Sequence, residues 1–566
     1  MDANRHAHFF VLLVATAVAS YACGSGPPSS FASGGGDASG GGDASGSEDA
    51  SNQGSLFGTD GAASSVIGPQ DDFQAPVLDT GVPANAPQLF SPPDENGDGG
   101  GGGPCLFEPE LGSLFPNNWL RPRFRFTTSN MENLFQITLT IPNETDPLVI
   151  YTTASGYTMD ATTWGIITKV GVGGPIHVTV RSAVVTGGQV TGGPWKGSDG
   201  QVEIAPVSAT GSVVYWTTSN GTVLKGFHIG DESVEVVLTP AQANTQCVAC
   251  HTSTPDGLYV GFTNSSDPNN GSSQAAVDLR SLDGTAMQPS FLTPSAAALL
   301  ARTGQHASAF TPAHWTTGDR TAVSMLDTSG GSTEIIWTDL EATSQALGTA
   351  WGTFARTGDS NSAASAQLSH DGKTIVYTSA TSVNSGTNTP DGLIYTIPYN
   401  GRMGGQATPL NGASDSTYIQ YYPVFSADDQ FVAFTRAGAM SGNSSLSYNN
   451  PQAEVFVLPA AGGTPTRLAA NDPPACLQES SPGVTNSWPK WSPQAQTAGG
   501  KTYYFLVFSS TRDPNANGAP QLYATPIVVD ASGAVTSYAA LYFWNQPETE
   551  HNHTPAWDTF QIAPIQ

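Results

Sequence analysis

The chain has 566 residues, with 19 Lys plus Arg set against 46 Asp plus Glu, and a formal net charge of −27. So acidic a chain without a basic cluster is not built to hold nucleic acid, and its length exceeds one ordinary domain. Charged residues make up only 11%, while Gly and Pro number 63 and 41. That composition excludes long helical heptads and predicts an all-β fold of many short strands joined by turns.

In chain order, Arg5 precedes an apolar run from Phe9 to Ala19, too short to span a bilayer as a helix. It leads into Ser20-Tyr21-Ala22-Cys23-Gly24, and residues 1–23 read as an export signal. The small residues before Cys23 resemble the lipobox of bacterial lipoproteins. The resemblance implies that Cys23 is acylated and that the protein is exported to the periplasm, outer membrane or cell surface. Membrane contact is then expected only through that lipid anchor; ordinary signal cleavage is the alternative. Residues 24–104 are rich in Gly, Ser and Asp and read as a flexible linker that cannot offset its own ordering entropy. Asp94 to Gly99 mimics the start of a calcium loop, but Cys105 stands where its closing Glu belongs, so this too reads as linker.

Residues 105–204 carry PRFRF at 122–126, NLFQITLTI at 133–141, PLVIYTT at 147–153 and IHVTVRSAV at 176–184. Their alternation predicts a small β-sandwich, resembling immunoglobulin or fibronectin-type modules.

From residue 205 a repeat sets in: a short strand, a Ser/Thr-led polar turn, then a second strand of β-formers. Examples are TSTPDGLYVGF at 252–262, QLSHDGKTIVYTS at 367–379 and VFSADDQFVAFTR at 424–436. The lead residues are Ser208, Thr254, Thr311, Ser369, Ser426 and Ser492, with a half-copy at Asp558, at spacings of 46, 57, 58, 57, 66 and 66. The pattern resembles the TolB-like, WD40-like propeller repeat. It implies a β-propeller over 205–566 with six blades, the strand before Asp558 completing the first; seven blades is the alternative.

One motif lies outside this pattern. Cys247-Val248-Ala249-Cys250-His251 supplies two thiols two residues apart and an adjacent imidazole, and resembles the attachment signal of c-type cytochromes. The resemblance implies one covalent haem c, held by Cys247 and Cys250, with His251 as proximal iron ligand. A thioredoxin-like pair would want a βαβ setting, and a zinc half-site would want a second Cys/His pair; neither is found. If Cys23 is acylated and the haem takes two thiols, Cys105 and Cys476 remain for one disulfide, although a Cys247–Cys250 disulfide closes the count as well. For a distal ligand, His553 and His306 each lie five residues before a lead residue, with His551 two further back. His314 and His370 fall in the turns, His177 in the sandwich and His228 in an outer strand or loop. Three functions are expected in order: a mono-haem electron carrier working with a redox protein or small electron donor or acceptor; a peroxidase-like enzyme with an open distal site; and a haem-free binding scaffold. Hydrolase chemistry of the propeller-peptidase type is not expected, because no Gly-x-Ser-x-Gly elbow and no α/β domain are present.

Overall fold

The computed structural model describes residues 69–95, 102–128, 131–219, 221–265, 275–384, 386–438 and 446–563. The signal segment, Cys23 and most of the linker lie outside these residues. The chain is mostly β.

Two sheets form the N-terminal part. The larger has six strands, among them Leu134–Thr140, Leu148–Thr152, Ile176–Thr186 and Gln189–Ile204; the smaller joins Cys105–Glu108, Arg123–Thr127 and Gly156–Thr158. Period-2 alternation places these faces: in Ile176–Thr186, Ile176, Val178 and Val180 are buried while His177, Thr179 and Arg181 lie towards solvent. The helix Ala161–Val170 was not legible in the sequence, since β-branched residues crowd it. Asp160 caps it by accepting from the Thr163 amide, and Trp164, Ile167 and Val170 stack on its buried face.

The linker reading needs correction at its C-terminal end. Val77–Leu78 pairs in parallel with Ile150 and Tyr151, and the short helix Ala86–Leu89 sets Ala86, Leu89 and Phe90 against Leu134, Tyr151 and Ala183. Asp94, the first residue of the calcium-loop mimic, instead receives a 2.8 Å hydrogen bond from Arg181 Nε. A few apolar side chains are enough to repay the ordering of this stretch, although its average composition hides them.

Beyond residue 211, six antiparallel sheets follow one another. In order, their first strands are Asn552–Asp558, Cys247–Ser253, Gln305–Ala309, Ser362–Leu368, Tyr418–Phe425 and Ser487–Trp491. Each of these strands contacts the next, and Asn552–Asp558 contacts both Ser487–Trp491 and Cys247–Ser253, so the neighbours close a ring in the manner of a β-propeller. Closure is knitted by the chain's last strand: Ser212–Thr217 pairs antiparallel with Asn552–Asp558.

The turns after the first strands explain the repeated signature. Thr254 Oγ1 donates to Asp256 Oδ1 (2.6 Å) and accepts from the Tyr259 amide (3.1 Å). Ser369 with Asp371 and Thr374, and Ser426 with Asp428 and Phe431, repeat both bonds. The second carboxylate oxygen links neighbouring sheets: Asp256 accepts from Trp315 Nε1 at 2.8 Å, and Asp428 from Tyr504 at 2.7 Å.

The N-terminal sheets are fixed to the ring. Cys105 and Cys476 form a disulfide with a Cα–Cα distance of 5.6 Å. Glu108 bridges Arg123 and Arg125, which also reach Glu548 of the ring. One apolar core runs from Phe124 and Ile137 through Tyr215 to Phe505 and Trp557.

Candidate site on the ring axis

All six first strands are kinked at one position. Cys250, Ala307, Ser365, Tyr422, Trp488 and Thr554 have φ of 24°, 49°, 50°, 55°, 60° and 47°. Each stands four residues before its lead residue (Thr254, Thr311, Ser369, Ser426, Ser492 and Asp558). At each, the pairing with the second strand slips by a bulge. Positive φ in a residue other than glycine costs about 1–3 kcal/mol, and bulges re-aim side chains. Six such kinks at one level turn six chains towards a common axis.

They surround a cavity of about 60 Å³, lined among others by Cys250, His251, Tyr422, Trp488, Lys490 and Thr554. Tyr422 and Trp488 stack face to face in its wall, ring centroids 3.7 Å apart. Loops from two sheets meet on one side of it: the Thr389 amide donates to Ser447 Oγ at 2.9 Å, and the Ser447 amide to the Thr389 carbonyl at 2.9 Å. Gln367 and Lys490 also line a second cavity further along the axis, with His370 and Asp558.

The structure separates the residues of the CVACH motif. Cys250 faces the axis as a free thiol beside the Thr263 hydroxyl, and burial pushes its pKa up to about 11, so it stays protonated. His251 lies half-buried at the same cavity; its Nε2 meets the Val214 carbonyl at 3.0 Å and its buried Nδ1 has no partner. Burial holds its pKa down at about 4, so the ring is neutral. Cys247 points the other way, 1% exposed in the core between sheets with Val214, Trp216 and Leu224.

These residues do not fit a haem as they stand. Thioether attachment needs both thiols on one edge of a macrocycle, whereas Cys247 and Cys250 lie on opposite sides of their strand. The cavity is also far below the roughly 300–1,000 Å³ of ordinary organic-ligand sites. Among the described residues, no group of three or more His, Cys, Asp or Glu is arranged to hold a metal ion.

Neither histidine expected as distal ligand lines the cavity. His306 and His553 occupy the position just before the kink, where the alternation of a strand turns the side chain off the axis. His306 Nε2 meets Asp327 at 2.9 Å. His553 lies on Trp216, its Nδ1 3.4 Å from the Tyr448 hydroxyl, and burial depresses its pKa to about 3. The His551 amide donates to Ser219; His314 pairs with Asp319, His370 with Asp429, His177 with Asp199 and His228 with Ser212.

Apart from Cys250 and His251, the residues that line the axis were not singled out in the sequence. Their signal was present in the repeat: four residues before each lead residue for the kinked set, and two before it for Gln367 and Lys490.

No known protein family and no curated protein matches the chain. Among solved structures it is similar to a prolyl endopeptidase (TM-score 0.31, 14% identity, over 58% of this chain and 40% of that one). It is similar to a puromycin hydrolase (0.29, 13%, 65% and 52%) and to an ancestral GH74 enzyme (0.33, 14%, 59% and 39%). The chain spans about half or less of the length of each. The ring described above rests on its own strand pairing.

Proposed function

We propose that this chain is an exported, lipid-anchored binding protein: an immunoglobulin-like β-sandwich fixed to a six-bladed β-propeller whose axial cavity receives a ligand. The cyclic succession of six sheets supports the blade count, and the two N-terminal sheets sharing one core support the sandwich. The export and anchor reading rests on the apolar run from Phe9 to Ala19 and on Cys23. One observation carries the binding role: six strands adopt the same costly backbone conformation at one level and so present side chains to one enclosed space.

The CVACH motif favours a second reading, a mono-haem cytochrome that passes electrons to a redox partner; the free Cys250 thiol and the unpartnered Nδ1 of His251 support it. It would require the strand Cys247–Ser253 to leave the ring. A haem stain of the denatured chain, made in a host with c-type maturation machinery, decides between them. The binding reading expects a colourless band. A stained band at the chain's mass that vanishes in Cys250→Ser overturns it in favour of the cytochrome.

A further inference from the structure

Four buried polar atoms around the axial cavity have no hydrogen-bond partner: His251 Nδ1, Ser308 Oγ, Ser365 Oγ and Thr554 Oγ1. They come from four different sheets. The Ser308, Ser365 and Thr554 residues are 5%, 8% and 7% exposed, so each hydroxyl bears a desolvation cost that a ligand would relieve. The Lys490 side chain lines the same space and makes no hydrogen bond or ion pair among the described residues, although the chain as a whole carries 46 acidic side chains. None of the residues lining this cavity is Asp or Glu. Asp558 lines the second cavity together with Lys490 and acts on its ammonium electrostatically, without forming an ion pair with it.

Hydroxyls and a thiol can donate, and an ammonium without a directly paired carboxylate favours negative charge in an enclosed, low-dielectric space. A divalent cation would be repelled by Lys490 and would find no carboxylate. The size of the cavity excludes nucleotides and sugars.

We propose that the axial cavity is a binding site for a small anion of a few heavy atoms, of the carboxylate or nitrate class, held by Lys490 and the hydroxyls of Ser308, Ser365 and Thr554. This deepens the binding reading and rests on it. Burial already lowers the Lys490 pKa to about 8, and an anion beside it would raise that value again.

The test is calorimetric titration of the full chain with formate, acetate and nitrate, with neutral acetamide as the control. The expected result is saturable binding of at least one anion, no binding of acetamide, and a loss of ten-fold or more in affinity in Lys490→Gln. A measurement without a variant runs beside it. Methylthiolation of Cys250, followed by peptide mass, should slow at least three-fold when the anion is present. Equal binding of acetamide and the anions would overturn the anion assignment and leave the binding reading in place. No binding and no protection of Cys250 by any of the four would overturn the proposal and leave a cavity filled by water alone. In that case a stained haem band would show the binding reading to have failed as well, and a colourless band would not.

Discussion

Arg512 Nη1 donates to Glu110 Oε1 at 3.1 Å, joining the N-terminal sheets to the ring through a pair in which both residues are buried. Arg512 also donates to the Ala470 carbonyl and to Asn486. Arg512→Met leaves a carboxylate buried without its partner, a change that costs about 3–5 kcal/mol. Adding Glu110→Leu should recover much of that loss. Denaturant midpoints of the single and double variants check this; equal destabilisation in both would contradict it.

The Cys105–Cys476 disulfide bridges 371 residues of sequence. Cross-links of this kind stabilise mainly by restricting the unfolded chain, by about 2–5 kcal/mol. The Cys105→Ser, Cys476→Ser double variant should unfold at correspondingly lower denaturant.

Ser426 organises its turn through two bonds, one to Asp428 and one from the Phe431 amide. Ser426→Ala removes both and should cost about 1–2 kcal/mol, as should Ser369→Ala in the preceding sheet. Because Asp429 of the Ser426 turn accepts from the His370 and Asp371 amides of the Ser369 turn, the two turns form one network and the losses in the double variant should depart from additivity.

Gly257 tests ring closure. Its φ is +72°, and a Cβ there would come within 2.0 Å of the Thr559 carbonyl oxygen, in the segment after the closing strand. Gly284 has φ +83° and open space around it. Gly284→Ala should show the backbone strain alone, about 1 kcal/mol, whereas Gly257→Ala should lose clearly more because a backbone must also move. Thermal midpoints of the two variants give the difference.

Acid should loosen the ring. His251 and His553 are held neutral by burial, with pKa values near 4 and 3 against 6.5 for an exposed imidazole. The unfolded chain therefore binds more protons than the folded one between those limits. The stability these groups contribute is complete above about pH 6.5 and is lost as pH falls towards 4 and below. His553→Gln, which is uncharged throughout, should flatten the decline in denaturation midpoint between pH 6.5 and 4.

The repeat was legible by itself because its chemistry is local. A Ser or Thr hydroxyl, a carboxylate two residues on and a following strand close one turn with their own hydrogen bonds, so Thr254, Ser369 and Ser426 were visible without a fold. The same lead residues set the level of the axis, since the kink falls four residues before each. The alternating strands at 134–140 and 176–186 were equally plain, because burial of one sheet face writes a period of two into the chain.

Tertiary structure decided the rest. The motif Cys247 to His251 names groups that are adjacent in sequence, yet a strand sends successive side chains to opposite faces, and a bulge at Cys250 turned that thiol to the axis while Cys247 entered the core. His306 and His553 stand one residue before the kink and were carried away from the cavity by the same alternation. Lys490 and the hydroxyls of Ser308, Ser365 and Thr554 lie on four different strands, up to 246 residues apart in the chain. No local pattern marks them as a group; only closure of the ring sets them around one space, with a positive charge that no carboxylate pairs directly.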